Sequence, residues 1–379
     1  MGEGLLEARG GIGMEDVGEE YFKILTSMSF FQPSVSVRDC RSCFIMHDCV
    51  HDLATFVLGD FGFRLEENNL HNLPRKTQHL SIMFEKIHDS EQFDGISNAD
   101  CLRTFLPLGY STCVNMSRVI PLKFLMEKGC LRVLTLYHCG IAELPDSIGN
   151  LKHLRYLDVS YTSIKEIPDT ICTLYNLETL LLKECTSLTR LPTDIGCLIK
   201  LGHLDFSKHA DSTIKELGCF QNLHGELRIW GLENVVDVKN VCEAKLRDKK
   251  FITELRLLWD EYSDDYMKDL EILDQLQPHT SLKELCIKGY SGTRLSDWMG
   301  DQSFSSIVQV ELINCENCSS LWPLDQLPSL KTLLISESFR RVETINWELF
   351  SSSSSMTKPF RSLESLYFGA YDRVERVVI

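Results

Sequence analysis

One pattern of leucines constrains this chain more than any other feature of its sequence. The frame L-x-x-L-x-L begins at Leu131, Leu154, Leu177 and Leu201, so successive copies lie 23, 23 and 24 residues apart. Each of the first three copies is followed by a second frame, an aliphatic pair spaced three residues apart and then a proline, at Pro145, Pro168 and Pro192. Agreement over so many positions indicates an internal structural repeat.

The alternation within the frame predicts what each copy folds into. A period of about 23 residues lies within the range of leucine-rich repeats. The last two leucines of a frame point to one side of a short strand, and the residue between them points to the other side. One copy cannot bury its apolar side, whereas stacked copies form one continuous core. We therefore predict an α/β fold, a leucine-rich-repeat solenoid with the curvature of a horseshoe.

Two details of the frame support this prediction. The bend after each strand carries a small side chain, Cys139, Thr162 or Cys185, which is suited to hydrogen-bond the turning backbone of the neighbouring coil. The prolines that follow keep the returning segment from forming a long helix.

Irregular copies extend the repeat on both sides of the regular ones. The predicted repeat domain covers residues 77–379 and becomes irregular after about residue 210. Its later strands are predicted at 227–229, 255–257, 285–287, 310–312, 333–335 and 366–368, and two opening strands at 79–82 and 102–105. Insertions between repeats usually form loops, and two are expected: the acidic run 260–274, partly helical, and the serine run 351–355.

The first 66 residues follow a different pattern. Apolar residues spaced by four, four and three positions from Val17 to Met28 predict an amphipathic helix over 15–31. Short strands are predicted at 35–37 and 43–46, then a second helix capped by Asp48, then a strand at 63–66. Helix, hairpin, helix and strand are the layout of a small winged-helix domain, here predicted for residues 1–66 and joined to the repeats by a linker over 67–76.

Composition excludes some classes of partner. The chain has 54 acidic and 39 basic residues, a net charge of −15, which disfavours binding to nucleic acid because phosphate contacts need clustered Lys and Arg. The sequence contains no run of 18 or more apolar residues, so we predict no membrane span. The 15 cysteines are odd in number and scattered, which favours reduced thiols in the cytoplasm or the nucleus. Acidic proteins of this kind commonly have protein partners.

Two cysteine pairs could in principle contribute to a metal site. Cys40-x-x-Cys43 lies near His47 and His51, and Cys315-x-x-Cys318 forms another pair, but a structural zinc site needs four convergent ligands. We predict no metal site. The sequence carries none of the signature motifs of zinc proteases, serine hydrolases or kinases, so we predict a protein that is not an enzyme.

The side chains that point away from the core form the predicted partner-binding surface, on the concave face of the solenoid. Exposed aromatic residues supply large contact areas at a low cost in entropy, although surface exposure alone is common. The predicted surface comprises the strand residues Tyr137, Tyr156, Asp158, His203 and Asp205, and the strand-exit residues His138, Tyr161 and Trp259.

Three segments carry a resemblance to a known family. Residues 44–54 read FIMHDCVHDLA, after EDVGEEYF at 15–22 and SFFQ at 29–32. This sequence resembles the MHD segment and winged helix that close the nucleotide-binding (NB-ARC) module of plant NB-ARC leucine-rich-repeat disease-resistance proteins. The likeness continues through the Leu-Pro repeats and LHGELRI at 223–229, so it covers nearly the whole chain.

The resemblance implies a function and a site. In that family the histidine of the MHD motif, here His47, contacts the β-phosphate of ADP, and Met46 and Asp48 flank and position it. The chain would then be part of a plant innate-immunity receptor. Its repeats would restrain the NB-ARC module, in cis or in trans, and recognise a pathogen effector or a guarded host protein. The alternative is an intracellular leucine-rich-repeat scaffold, such as a substrate receptor of a ubiquitin ligase, which would carry a ligase-docking helical motif before its repeats.

The chain also departs from that family. It has no G-x-x-x-x-G-K-[ST] loop and no Gly-Lys dipeptide, so it lacks the backbone cradle for the α- and β-phosphates. We therefore expect no cofactor in this chain, with ADP or ATP bound only in an intact full-length receptor. We also expect the chain to be a fragment, from a truncated gene product or a partial gene model.

Overall fold

The computed structural model describes residues 3, 6, 14–35, 42–65, 73–83, 96, 98–108, 122–206, 214–259, 265–318, 321, 324–336, 360–370 and 373–377. The chain divides into two compact units. The first comprises residues 1–139 and 147–157, and the second comprises residues 140–146 and 158–379. No helix among the described residues is both long and apolar enough to cross a membrane.

The first unit begins with the predicted order of helix, hairpin and helix. These elements are α1 (Met14–Ser27), β1 (Phe31–Val35), β2 (Ser42–Met46) and α2 (Asp48–Leu58), with β1 and β2 antiparallel. Two boundaries were predicted wrongly. The first helix ends at Ser27, because Ser29 adopts a left-handed φ of 62° and turns the chain. The hairpin therefore starts at Phe31 rather than at 35, and Pro33 is accommodated within β1, in a hairpin of only two strands.

Parallel strands complete the first unit. They are β3 (Gly62–Leu65), β4 (His79–Met83), β5 (Thr104–Leu108) and β6 (Val133–Thr135), with the short helix α3 (Leu122–Met126) before β6. Each strand pairs with the next in the chain. The two predicted opening strands are confirmed, the second displaced from 102–105 to 104–108. The strand predicted after α2 is β3, and its partner is β4.

The second unit repeats the same pairing. The chain enters it through β7 (Tyr156–Asp158), and the strands that follow are β8 (Thr179–Leu182), β9 (His203–Phe206), β10 (His224–Ile229), β11 (Phe251–Leu258), β12 (Glu284–Lys288), β13 (Gln309–Ile313), β14 (Thr332–Ser336) and β15 (Ser365–Ala370). From β8 to β15 each strand is parallel to the next, and β16 (Arg373–Val377) lies antiparallel to β15. All six strands predicted after residue 210 are present.

The frame leucines lie in register across this sheet. Leu180 pairs with Leu204, Leu204 with Leu227 and Leu227 with Leu255, and each of these side chains is at most 2% exposed. Successive coils therefore bury one column of leucines, which confirms the leucine-rich-repeat fold.

Short helical segments return the chain between strands. Most are single 3₁₀ turns, and those at 146–150 and 169–173 begin directly after Pro145 and Pro168, as the proline positions predicted. The described residues of the second unit form two α-helices, α4 (Val238–Cys242) and α5 (Tyr266–Gln275). Helix α5 confirms that the acidic run is partly helical, whereas residues 260–264 and the serine run 351–355 lie outside the described residues.

The bend after the strand recurs as a left-handed residue. Positive φ values between 54° and 74° occur at His138, Tyr161, Glu184, Gly231, Gly289 and Asn314. The next residue holds the turn: the Sγ atom of Cys185 lies 3.2 Å from the carbonyl oxygen of Val159, on the preceding coil, and Cys315 makes the same contact with Ile287 at 3.7 Å. The predicted role of the small bend residues is confirmed for Cys185, and Cys315 shows the same arrangement in a later repeat.

Candidate functional site

His47 lies at the junction of β2 and α2 and caps the helix. Its backbone is extended, and its Nδ1 atom accepts a hydrogen bond from the backbone N–H of Cys49 at 3.2 Å. Its carbonyl oxygen accepts from Val50 and His51, so the helix starts one residue earlier than predicted and His47, not Asp48, is the N-cap. Because Nδ1 is an acceptor, the ring proton of the neutral imidazole is on Nε2.

The neighbours of His47 are accessible from solvent. His47 and Asp48 are exposed and Met46 is half-buried. The acidic side chain of Asp48 lies in the first turn of α2, where it interacts favourably with the helix dipole. The junction thus presents an imidazole N–H to solvent at the beginning of a helix.

The residues predicted for the partner-binding surface in the first unit are half-buried. They are Tyr137, His138 and Tyr156. The rings of Tyr137 and His138 meet edge to face, with centroids 4.7 Å apart, and burial lowers the pKa of His138. A neutral His138 therefore packs beside Tyr137, and both leave part of their surface accessible.

In the second unit, four residues form what we call the aromatic–lysine cluster: Tyr161, Lys183, Asp205 and Trp230. The Nζ atom of Lys183 lies 5.7 Å from the ring centroid of Tyr161 and 5.1 Å from that of Trp230, within the range of cation–π attraction. The Nε1–H of Trp230 donates to the Oδ1 atom of Asp205 over 3.0 Å. All four side chains are half-buried, so the cluster is ordered yet accessible.

The charge within this cluster is partly suppressed. Burial raises the pKa of Asp205 to about 6, although Arg228, the Trp230 hydrogen bond and Lys183 act in the opposite direction. Sequence reasoning found Tyr161 and Asp205 but missed Lys183 and Trp230. The signal was available for Lys183, because it occupies the repeat position of Tyr137 two copies later.

The side of the sheet opposite the leucine core, which carries the aromatic–lysine cluster, is called the strand face. A row of charged side chains continues it over β10, β11 and β13. We call it the ionic ladder: Glu226, Arg228, Glu254, Arg256 and Glu311. Arg228 donates to both carboxylate oxygens of Glu226, at 2.6 and 2.7 Å, and Arg256 Nε lies 2.7 Å from Glu226 and 2.6 Å from Glu254. Glu311 is 3.7 Å from Arg256. Arg256 is thus held among three carboxylates and Arg228 against one, on a half-buried surface.

The two glutamates at the centre of the ladder differ in their titration. Burial would raise the pKa of Glu226, but the hydrogen bond and charge of Arg228 together with Arg256 outweigh it and lower that pKa. Burial and the carboxylate of Glu226 raise the pKa of Glu254. Glu226 is therefore the better-compensated carboxylate of the two.

His203 lies on the same face, half-buried. Its ring meets that of His224 at 5.2 Å, and a Cβ atom on the intervening Gly202 or Gly225 would collide with one of the two rings. The two glycines therefore make room for the histidine pair.

Two members of the predicted surface are buried, which corrects the prediction. Asp158 is 7% exposed, and its Oδ1 atom accepts from the backbone N–H of Ser160; Trp259 is 2% exposed and packs on Tyr290 with ring centroids 5.3 Å apart. At the end of β11 the alternation breaks down, since Leu257, Leu258 and Trp259 are all buried in succession. The strand exit at Trp259 therefore points into the core, not outward as predicted.

Only one of the two cysteine pairs, Cys315 and Cys318, lies wholly within the described residues. Cys315 and Cys318 are fully buried in the repeat core, and burial raises the pKa of Cys318. Cys40 and the side chain of Cys43 lie outside the described residues. Among the residues that are described, no three His, Cys, Asp or Glu side chains are grouped as metal ligands would be.

Two family models match the chain. Residues 1–54 match the disease resistance protein winged helix domain, and residues 214–338 match the R13L1/DRL21 leucine-rich repeats.

Relatives in plants match over most of its length. A disease resistance protein of Arabidopsis thaliana is 36% identical over 96% of this chain and 28% of the relative. The RPP13-like protein 1 of the same species is 34% identical over 97% of this chain and 38% of the relative, and the disease resistance protein RGA2 of Solanum bulbocastanum is 30% identical over 88% and 34%. The chain thus spans only about a third of these relatives.

Solved structures show a weaker likeness. A leucine-rich-repeat protein of Leptospira interrogans has a TM-score of 0.46 at 19% identity, covering 71% of this chain and 74% of that one.

Proposed function

Because this chain is homologous to the winged-helix and leucine-rich-repeat parts of plant disease resistance proteins, we propose that it recognises a protein during plant defence. The observation that carries the proposal is the aromatic–lysine cluster. Tyr161 and Trp230 hold Lys183 between their rings on the strand face, and all three remain partly accessible. Ordered aromatic side chains with a cation are frequent anchors of protein interfaces.

The ionic ladder supports the same surface. Its arginines are already fixed by Glu226 and Glu254, so a partner would meet charges whose positions are set before binding. Such preorganisation favours specificity because little side-chain entropy remains to be lost. The partner would be a pathogen effector, a guarded host protein, or the nucleotide-binding module in cis or in trans.

We propose a separate role for the junction at His47. In an intact receptor, its Nε2–H would donate to the β-phosphate of ADP, with Met46 and Asp48 fixing the turn around it. The support is geometric: Nδ1 is engaged by the N–H of Cys49, and the ring is exposed at the beginning of α2. A neutral imidazole N–H is a suitable donor to a phosphate oxygen. The rest of that nucleotide site would belong to the receptor beyond this chain.

In this proposal the chain is a recognition scaffold without catalytic activity, and it acts in the cytoplasm or the nucleus. Its relatives are disease resistance proteins, and its matching family models describe a repeat and a winged helix.

Binding to a nucleotide-binding module tests the role of the strand face. Surface plasmon resonance would measure the affinity of the immobilised chain for the nucleotide-binding module of the RPP13-like relative. We expect the double variant Lys183→Ala/Trp230→Ala to bind at least roughly tenfold more weakly, because hot-spot residues each contribute more than about 1 kcal/mol.

A matched control removes the same kinds of side chain elsewhere. Lys165→Ala/Tyr175→Ala changes an exposed lysine and an exposed aromatic residue that lie outside the strands, and it should bind as the unchanged chain does. Equal losses in both double variants, or none in the first, would contradict the proposal.

A further inference from the structure

A cavity lies away from the strand face, between two returning segments of the second unit. It is bounded by residues 218–222 on one coil and 245–251 on the next, with a volume of about 540 Å³. Three lysines line it, Lys245, Lys249 and Lys250, together with one carboxylate, that of Asp248. We call it the lysine cavity. Its lining carries two more positive than negative charges, in a chain whose net charge is −15.

Lys249 forms the floor of the cavity. Its side chain is almost fully buried, 2% exposed, and its Nζ atom donates to the carbonyl oxygens of Leu217 and Phe220, at 2.7 and 2.5 Å. A protonated lysine has three N–H groups, and these two carbonyls engage two of them. Lys249 is also one of the residues that line the cavity.

The desolvated position of Lys249 makes an anion favourable there. Burial lowers the pKa of this ammonium to about 8. A negative charge placed beside it would raise that pKa again, because an opposite charge stabilises the charged form. Anion binding would therefore be coupled to proton uptake near pH 8.

Lys245 and Lys250 lie at the rim. Both are exposed; Lys245 has a left-handed φ of 50°, a strained backbone for a side chain of this kind, and such strain is frequent at ligand sites. The Nζ atom of Lys250 lies 4.9 Å from the ring centroid of Phe251, which is itself 48% exposed. The rim thus offers two cations and a flat apolar surface side by side.

We propose that the lysine cavity binds a small organic phosphate. Lys249 would donate to the phosphate from below, and Lys245 and Lys250 from the rim. Phe251 would contact the organic part, and Gln221 would hydrogen-bond its polar groups. Charge-assisted hydrogen bonds from lysine are a common means of phosphate binding. This site is independent of the proposed protein-recognition surface.

Isothermal titration calorimetry of the whole chain tests the proposal, with pyrophosphate and inorganic phosphate as probes. We expect saturable binding of pyrophosphate, and a roughly tenfold or greater loss of affinity in Lys245→Ala/Lys250→Ala, since hydrogen bonds to charged groups are strong. The control Lys165→Ala/Lys200→Ala removes the same two charges from exposed sites outside the cavity and should retain the affinity. No saturable binding, or equal losses in both variants, overturns the proposal.

A second readout isolates Lys249 without altering it. Titrations at pH 8.5 in two buffers of different ionisation enthalpy report the protons taken up on binding. We expect a net uptake of up to one proton by the unchanged chain, since Lys249 is largely neutral at this pH and charges when the anion binds. Binding without any proton uptake would overturn the assignment of Lys249 as a ligand.

Discussion

The indole of Trp230 donates to the carboxylate of Asp205 over 3.0 Å, across a gap of 25 residues and between neighbouring coils. The carboxylate is buried enough for its pKa to rise to about 6 while it still serves as an acceptor. The bond joins a residue of the proposed recognition surface to a titrating group, so a change in the charge of Asp205 would act on both stability and the position of the indole.

We predict that Asp205→Asn stabilises the fold at neutral pH. The folded state raises the pKa of this carboxyl above its unfolded value, so the unchanged chain loses stability as the pH rises from about 4 to about 6. The amide keeps an acceptor for Trp230 and does not ionise. The unfolding free energy of the variant should exceed that of the unchanged chain by about 2 kcal/mol more at pH 7 than at pH 4.5. Urea titrations at the two pH values measure this difference in unfolding free energy. The same difference at pH 4.5 and at pH 7 would contradict the prediction.

The contribution of Lys249 to stability should rise with pH, opposite to that of Asp205. The folded pKa of about 8 lies below the unfolded value, so the unfolded chain binds more protons between about pH 8 and pH 10.5 and the folded state gains stability over that window. In Lys249→Met this gain is absent. Denaturant unfolding at pH 7.5 and pH 10 should show the unfolding free energy of the unchanged chain rising relative to that of the variant by about 2 kcal/mol. Parallel pH profiles of the two proteins would refute the assigned pKa.

Adjacent leucines on opposite faces of β8 provide a test of the core. Leu180 is fully buried, and Leu181 is half-buried on the strand face. We expect Leu180→Ala to cost about 2–5 kcal/mol of unfolding free energy, since it opens a cavity between stacked coils. Leu181→Ala should cost less than about 1 kcal/mol. Chemical denaturation measures the unfolding free energy of the two variants. Similar losses in both would argue against the register of β8.

The bend after β12 should not accept a side chain. Gly289 has a φ of 74°, and a Cβ atom there would lie 2.0 Å from the carbonyl oxygen of Trp259. We expect Gly289→Ala to lower the unfolding free energy by more than about 1 kcal/mol, because both the backbone conformation and the space are unsuitable. Gly129→Ala meets no atom within 4 Å and serves as the control. Thermal unfolding at the same midpoint for both variants would show the bend to be more adaptable than its geometry indicates.

Local periodicity predicted the fold well for a physical reason. Each frame leucine is buried by the equivalent leucine of the next coil. The spacing of the repeat is therefore enough to predict which residues form the core. Leu180 and Leu204 illustrate this, since both their register and their burial follow from the 24-residue step from Leu177 to Leu201.

The candidate sites depend on local departures from the repeat and on contacts between residues distant in sequence, and the repeat pattern predicts neither. Trp259 was assigned to the surface as a strand-exit residue, but Leu257, Leu258 and Trp259 are buried in succession and the indole enters the core. His47 replaced Asp48 as the helix cap because the first helical turn starts one residue earlier. The lysine cavity combines a lysine at 249 with carbonyl groups of Leu217 and Phe220, about 30 residues earlier, and no local pattern indicates such a pairing.

The left-handed residues at the strand exits carry a consequence for how such a protein can diversify. At His138, Tyr161, Glu184 and Asn314 the chain tolerates a side chain in a conformation that glycine would adopt without strain. The buried leucine columns do not depend on which side chains these four bend positions carry. The bend residues can therefore change between related proteins while the leucine core is retained. Substitutions at these bend positions should therefore affect the binding surface more than the stability of the fold.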